Sequence, residues 1–140
     1  MDSKASAHWE GGLKDGQGKV ATESGVLDAD YSFKQRFEGA PGTNPEELIG
    51  AAHASCFSMA LSMILGEKGY TADSIDTQAR VTLSQSDAGF DISSIHLDVE
   101  ASVSGADEAA FQEAAETAKD NCPVSKVLNA DITMSAKLKG

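Results

Sequence analysis

From Leu48 to Gly66 the chain carries no formally charged side chain, and this run constrains the fold more than any other stretch. Asn44 is placed to cap a helix, Pro45 suits its first position, and Glu47, three residues past the cap, can reach back to the free amides. Leu48, Ile49, Ala51, Ala52, Ala54, Cys56, Phe57, Met59, Ala60, Leu61, Met63, Ile64 and Leu65 follow. At 100° per residue they cover nearly the whole circumference, and a helix apolar all round is expected to be buried on every side. About 20 apolar residues also suffice to cross a bilayer. However, His53, Ser55, Ser58 and Ser62 dilute the run, and Glu67-Lys68 follows with no basic cluster, so a core helix is expected rather than a span.

The rest of the chain reads as one ordinary domain, 1–140, long enough to bury a real core. Its net charge of -11 and pI near 4.5 disfavour nucleic-acid phosphate and anionic membranes as partners. Met1 to Gly18 has no apolar core of the signal-peptide kind, so a cytoplasmic protein is expected. Cys56 and Cys122 are the only cysteines. In a reducing compartment they read either as two buried bystanders or as a redox couple, and composition alone leaves both open.

In chain order, Ala7–Glu10 and Lys19–Thr22 read as strands of a meander. Tyr31, Phe33, Gln35 and Phe37 alternate with Lys34, Arg36 and Glu38, which predicts a third strand with Arg36 on its polar face. Gly66 and Gly69 mark the end of the central helix. Ile75, Thr77, Ala79, Val81 and Leu83 make the clearest strand, and Ser86–Gly89 a hairpin turn. On the return strand the apolar parity slips at Ser93-Ser94, which predicts a bulge. Phe111, Ala114, Ala115, Ala118 and Cys122 share one face of a helix starting near Asp107. Pro123 interrupts it and opens a further short helix, and Ile132 to Leu138 alternate in a last strand. The string β-β-β-α-β-β-α-α-β is an α+β domain. A single sheet covers one side of the central helix, so a second copy of the chain is the simplest cover for the other, and a two-fold dimer the commonest form.

Four stretches carry a resemblance: His8-Trp9-Glu10-Gly11, Arg36-Phe37-Glu38-Gly39, the long segment from Gly42-Thr43-Asn44-Pro45-Glu46-Glu47 through His53-Ala54-Ser55-Cys56 to Ala60, and Asn121-Cys122-Pro123-Val124-Ser125. Together, in order and over essentially the whole chain, they resemble the osmotically inducible protein C (OsmC) family, more closely than the related organic hydroperoxide resistance (Ohr) branch. Ser55 stands where that pattern has alanine. The resemblance implies an intertwined homodimer around a buried central helix and a thiol peroxidase acting on organic hydroperoxides. It implies Cys56 as the peroxidatic cysteine, Cys122 as the resolving one, and Arg36 with Glu46 as the polar pair preparing the site. It also implies no cofactor, and an external dithiol, a lipoyl type among the candidates, as reductant.

The residue types suit that chemistry. Only a thiolate attacks a peroxide oxygen well. An arginine oriented by a carboxylate supplies a positive field and a donor for the departing alkoxide. A second thiol then condenses with the sulfenic acid before it oxidises further. The residues read alone also carry blander meanings. Cys56 in an apolar helix is a common core residue, and Cys122 before a proline at a helix start is locally the better nucleophile. Arg36 reads as solvated and Glu46 as a dipole partner. His53, three residues before Cys56, could ligate zinc, but His8 and His96 are a poor supply of further ligands. A non-enzymatic stress-response dimer with structural cysteines is thus the alternative to a peroxidase. Finally, ten helical positions separate Glu46 from Cys56 by roughly 15 Å along the axis. One chain is therefore not expected to hold both in one site, whereas two antiparallel helices of a dimer could.

Overall fold

The computed structural model describes all residues, Met1–Gly140. The elements run β1 (Ala5–Glu10), β2 (Gln17–Thr22), β3 (Asp28–Tyr31), α1 (Phe33–Phe37), α2 (Pro45–Glu67), β4 (Ala72–Ser86), β5 (Gly89–Val103), α3 (Glu108–Asn121), α4 (Pro123–Val127) and β6 (Asp131–Leu138). This is the expected α+β order with two differences: the strands form two separate three-stranded sheets, and the stretch expected as the third strand is largely helical. The chain divides into two compact units, Met1–Leu48 and Ile49–Gly140.

The first unit is an antiparallel meander, β1-β2-β3, followed by α1. Trp9, Gly18 and Tyr31 lie side by side across the three strands. The Trp9 and Tyr31 rings meet with centroids 5.5 Å apart. A Cβ at Gly18 would sit 2.7 Å from the Tyr31 ring and 2.8 Å from that of Trp9, so only glycine lets the rings close over the middle strand. The expected strand through Phe37 stops at Tyr31, and Arg36 lies on the short helix instead. Phe33 and Phe37 fit a two-residue period, but they are also i and i+4. Their rings pack at 4.8 Å on one helical turn, so the helical spacing prevails.

The cap of α2 forms as the sequence suggests at Asn44, whose Oδ1 accepts from Glu47 N–H at 2.8 Å. Glu47 does not complete a capping box. Its carboxylate instead accepts from the Thr43 hydroxyl at 2.8 Å. The helix is unbroken to Glu67, where Tyr70 N–H bonds Leu65 C=O at 2.9 Å and Gly69 takes φ +88°, the left-handed closure expected there.

In the second unit β4 and β5 form a long antiparallel hairpin, and β6 returns parallel to β5 after the α3–α4 crossover. The bulge falls where parity slips: Thr82 pairs Ser94 and Leu83 pairs Ile92, leaving Ser93 extra. Phe57, Leu61 and Leu65 of α2 pack with Ile95, Leu97, Val99 and Ala101 of β5 and with Phe111, Ala114, Ala115 and Ala118 of α3. Each large side chain so buried contributes about 1.5–3 kcal/mol. A hydrogen bond of 2.7 Å between Ser58 and Thr77 hydroxyls ties α2 to β4. One face of α2 stays open in the single chain. Ala51, Ala52, Ser55, Met59, Ser62 and Met63 are exposed, Met59 at 77% and Met63 at 62%. Within the single chain the helix is thus buried on one side, and the open side is the one for which a second copy is the expected cover.

Candidate active site

Two polar arrangements stand out, one in each unit. In the first, the Arg36 guanidinium grips Glu46, with Nη2 donating to Oε1 at 2.6 Å and Nε to Oε1 at 3.0 Å. The hold arises because α1 and the first turn of α2 are joined by the short Gly39–Asn44 turn. Glu46 is only 8% exposed, and Arg36 also stacks 5.5 Å over the Phe37 ring. Two directional N–H bonds to one carboxylate fix the guanidinium plane, which a lysine could not reproduce. The solvated arginine and idle glutamate of the bland reading are thus replaced by a specific pair. Nearby, Ala7, Val20, Tyr31, Pro45 and Leu48 line an apolar hollow of about 150 Å³.

In the second unit the two cysteines are free thiols, near enough for each to influence the other's ionisation. Cys56 is half-buried on α2. Cys122 is fully buried at the junction of α3 and α4, where Pro123 ends one helix and starts the next. Because Cys122 occupies the N-cap of α4, its Sγ accepts from Ser125 N–H at 3.5 Å and from the Ser125 hydroxyl at 3.5 Å. Burial pushes the Cys122 thiol up, but the neighbouring Cys56, the Ser125 N–H and hydroxyl, and the Val124 backbone outweigh it, leaving it below the ordinary thiol value. Burial pushes Cys56 up, the neighbouring Cys122 adds to this, and the Val124 backbone only partly offsets it. In the isolated chain Cys122 is thus the more acidic thiol, as its local sequence suggests. None of the influences on Cys56 is a cation.

His53 and Ser125 complete this arrangement; sequence reasoning assigned Ser125 no part in it and His53 only that of a zinc ligand beside Cys56. His53 is fully buried, with Nε2 2.7 Å from the Ser125 hydroxyl, while its Nδ1 has no hydrogen-bond partner. Burial lowers its basicity and keeps the ring neutral. No three His, Cys, Asp or Glu side chains are grouped to hold a metal ion, and His53 turns to Ser125 rather than to a ligand set. The available signal was the Ser125 position, three residues after a capping Cys122, which aims its hydroxyl back at the cap.

Residues 37–137 match the model of a family described as OsmC-like protein. Over 140 residues the chain is 58% identical to Peroxiredoxin OsmC of Escherichia coli (strain K12), covering 99% of this chain and 98% of that protein. It is 32% identical over 124 residues to organic hydroperoxide resistance protein OhrB of Bacillus subtilis (strain 168), covering 87% and 89%. The crystal structure of OhrB from Bacillus subtilis superposes with a TM-score of 0.70 at 29% identity, covering 97% of this chain and 98% of that one. A Legionella pneumophila organic hydroperoxide resistance protein OsmC shares the fold, with a TM-score of 0.76 at 24% identity and coverage of 98% and 97%.

Proposed function

The chain belongs to the OsmC family, and from that premise we propose that it is a cysteine-based peroxidase reducing organic hydroperoxides to alcohols. The observation that carries this reading is the 58% identity to a protein named a peroxiredoxin over nearly the whole of both chains, with Cys56 and Cys122 as free thiols near enough to influence each other's ionisation beside it.

In this reading the Cys56 thiolate attacks the distal peroxide oxygen. The O–O bond breaks, Cys56 becomes a sulfenic acid, and the alkoxide leaves as alcohol after taking a proton. Cys122 then condenses with the sulfenic acid, forming the Cys56–Cys122 disulfide and water. An external dithiol, of the lipoyl type among candidates, reduces the disulfide. The thiols supply the redox chemistry, so the reaction requires no metal, haem or flavin. Arg36, held planar by Glu46, lowers the thiolate's energy and donates to the alkoxide. The apolar hollow beside that pair suits an alkyl group better than water.

The same reading makes the protein a homodimer of one OsmC-like domain per chain, acting in the cytoplasm against oxidative or osmotic stress. The open stripe Ala51, Ser55, Met59 and Met63 on α2 is the face a second copy would cover. Dimerisation would also resolve the inverted acidity of the thiols. Arg36 and Glu46 of one subunit would serve Cys56 and Cys122 of the other, bringing to Cys56 the cation its own ionisation lacks. A thiol count before and after one equivalent of cumene hydroperoxide tests the function. Loss of both thiols, restored by a dithiol, is expected. Two thiols that survive the peroxide would leave only a non-enzymatic dimer.

A further inference from the structure

Resting on the peroxidase reading, the second step poses a problem of proton transfer. Cys122 is completely buried, so its thiol proton has no direct exit to water when the sulfur becomes a nucleophile. The Ser125 hydroxyl, 3.5 Å from Cys122 Sγ, leads away from the sulfur to His53 Nε2 at 2.7 Å, and both partners are also buried. His53 and Ser125 come from different elements, α2 and α4, so local turn geometry does not explain their meeting. Nor does packing. A histidine kept only for its volume would have both ring nitrogens satisfied or be replaced by an apolar residue, whereas Nδ1 is buried with no partner.

We propose that Ser125 and His53 form a proton relay for the resolving cysteine, with Ser125 as the link and His53 as the temporary acceptor. At rest the Ser125 hydroxyl donates to Cys122 Sγ; for the transfer it rotates to donate to His53 Nε2, with the ring proton on Nδ1, and Ser125 Oγ then accepts from the Cys122 thiol. As Cys122 Sγ attacks Cys56 Sγ, its proton passes to Ser125 Oγ while the Ser125 proton passes to His53 Nε2. The S–S bond forms, the S–O bond of the sulfenic acid breaks, and hydroxide leaves with its electron pair. The imidazolium, disfavoured by burial, then returns its proton through the Ser125 hydroxyl alone to the departing hydroxide, the disulfide sulfur taking no part, which gives water and the neutral ring. Cys122 is oxidised, the sulfenic sulfur is reduced, and no outside reagent enters. Both relay members are positioning residues. Neither touches the peroxide, and they act through Cys122.

The test follows the two steps separately. The reduced protein is mixed with one equivalent of cumene hydroperoxide in H₂O and in D₂O. Formation of Cys56 sulfenic acid and of the disulfide is then timed by chemical trapping and mass spectrometry. In Ser125→Ala and in His53→Gln, which keeps an amide but cannot take the proton, the rate of the second step relative to the first is expected to fall at least about tenfold. Its solvent isotope effect is expected to disappear. Ser125→Thr keeps the hydroxyl and is expected to keep both. A second step with the parent ratio and isotope effect in Ser125→Ala and His53→Gln would overturn the relay while leaving the peroxidase intact. Absence of any Cys56 sulfenic acid in the unsubstituted protein would overturn the peroxidase reading itself.

Discussion

Arg36 Nη2 stands 2.6 Å from Glu46 Oε1, the shortest ion pair of the chain, and it joins α1 to the first turn of α2. The contact is directional as well as electrostatic, because Nε donates to the same oxygen at 3.0 Å. Arg36→Lys keeps the charge but not the fork. Its kcat/KM for an organic hydroperoxide is expected to fall about 10²-fold, with little change in melting temperature because the arginine is partly solvated. A lysine variant with parent kinetics would show that orientation of the cation is unimportant.

The two cysteines are expected to differ in what their loss does. Cys56→Ser abolishes turnover, whereas Cys122→Ser undergoes one oxidation and then stalls as sulfenic acid or proceeds to sulfinic acid. Mass spectrometry after peroxide treatment distinguishes these species. The greater acidity of Cys122 in the single chain makes the opposite pattern the informative alternative.

A shared site has a stoichiometric consequence. Differently tagged Cys56→Ser and Glu46→Ala chains, co-expressed and purified as a heterodimer, place one intact Cys56 opposite one intact Glu46. About half the activity of the parent dimer is expected. A folded heterodimer with no activity would mean that each chain serves its own thiols.

Substrate choice follows from apolar walls. Each methylene buried on binding contributes about 0.8 kcal/mol, so cumene or fatty-acid hydroperoxides are expected to exceed hydrogen peroxide in kcat/KM by a large factor. Equal values for the two classes would argue against an apolar pocket.

His53 gives a pH dependence with a definite sign. Burial lowers its folded pKa below the unfolded value of about 6.5. Protonation therefore favours the unfolded chain, and the contribution is fully present above that pH and lost as pH falls through the folded value. Between about pH 7 and pH 5 the melting temperature of the parent is expected to fall more steeply than that of His53→Gln. Parallel curves would show that the ring is not held neutral by burial.

The sequence was most informative where period and punctuation agree. The bare alternation of Ile75 to Leu83, the amphipathic helix starting near Asp107 and the break at Pro123 are each local signals, and each element stands where they put it. It misled at Phe33–Phe37, since two residues four apart satisfy a strand and a helix equally. It also could not show that the strands divide into two sheets, because partition depends on contacts between distant segments. Cys56 and Cys122 were visible as candidates through their motifs. The His53–Ser125 contact spans 72 positions and has no local signature, so only the folded chain reveals it.

The bulge at Ser93 can be regarded as a frame correction. The Ser93 hydroxyl bonds that of Ser84 at 2.7 Å, on the same outer face as Thr82, so the extra residue is absorbed outside the core. Val81 with Ile95 and Leu83 with Ile92 therefore remain in one phase despite the odd spacing in sequence. Excising Ser93 would remove a bend and keep that phase. Excising His96 three residues later would put every residue before it out of step with Leu97, turning Ile92 and Ile95 toward solvent. A lost codon is thus tolerable at Ser93 and costly a few residues further along the same strand.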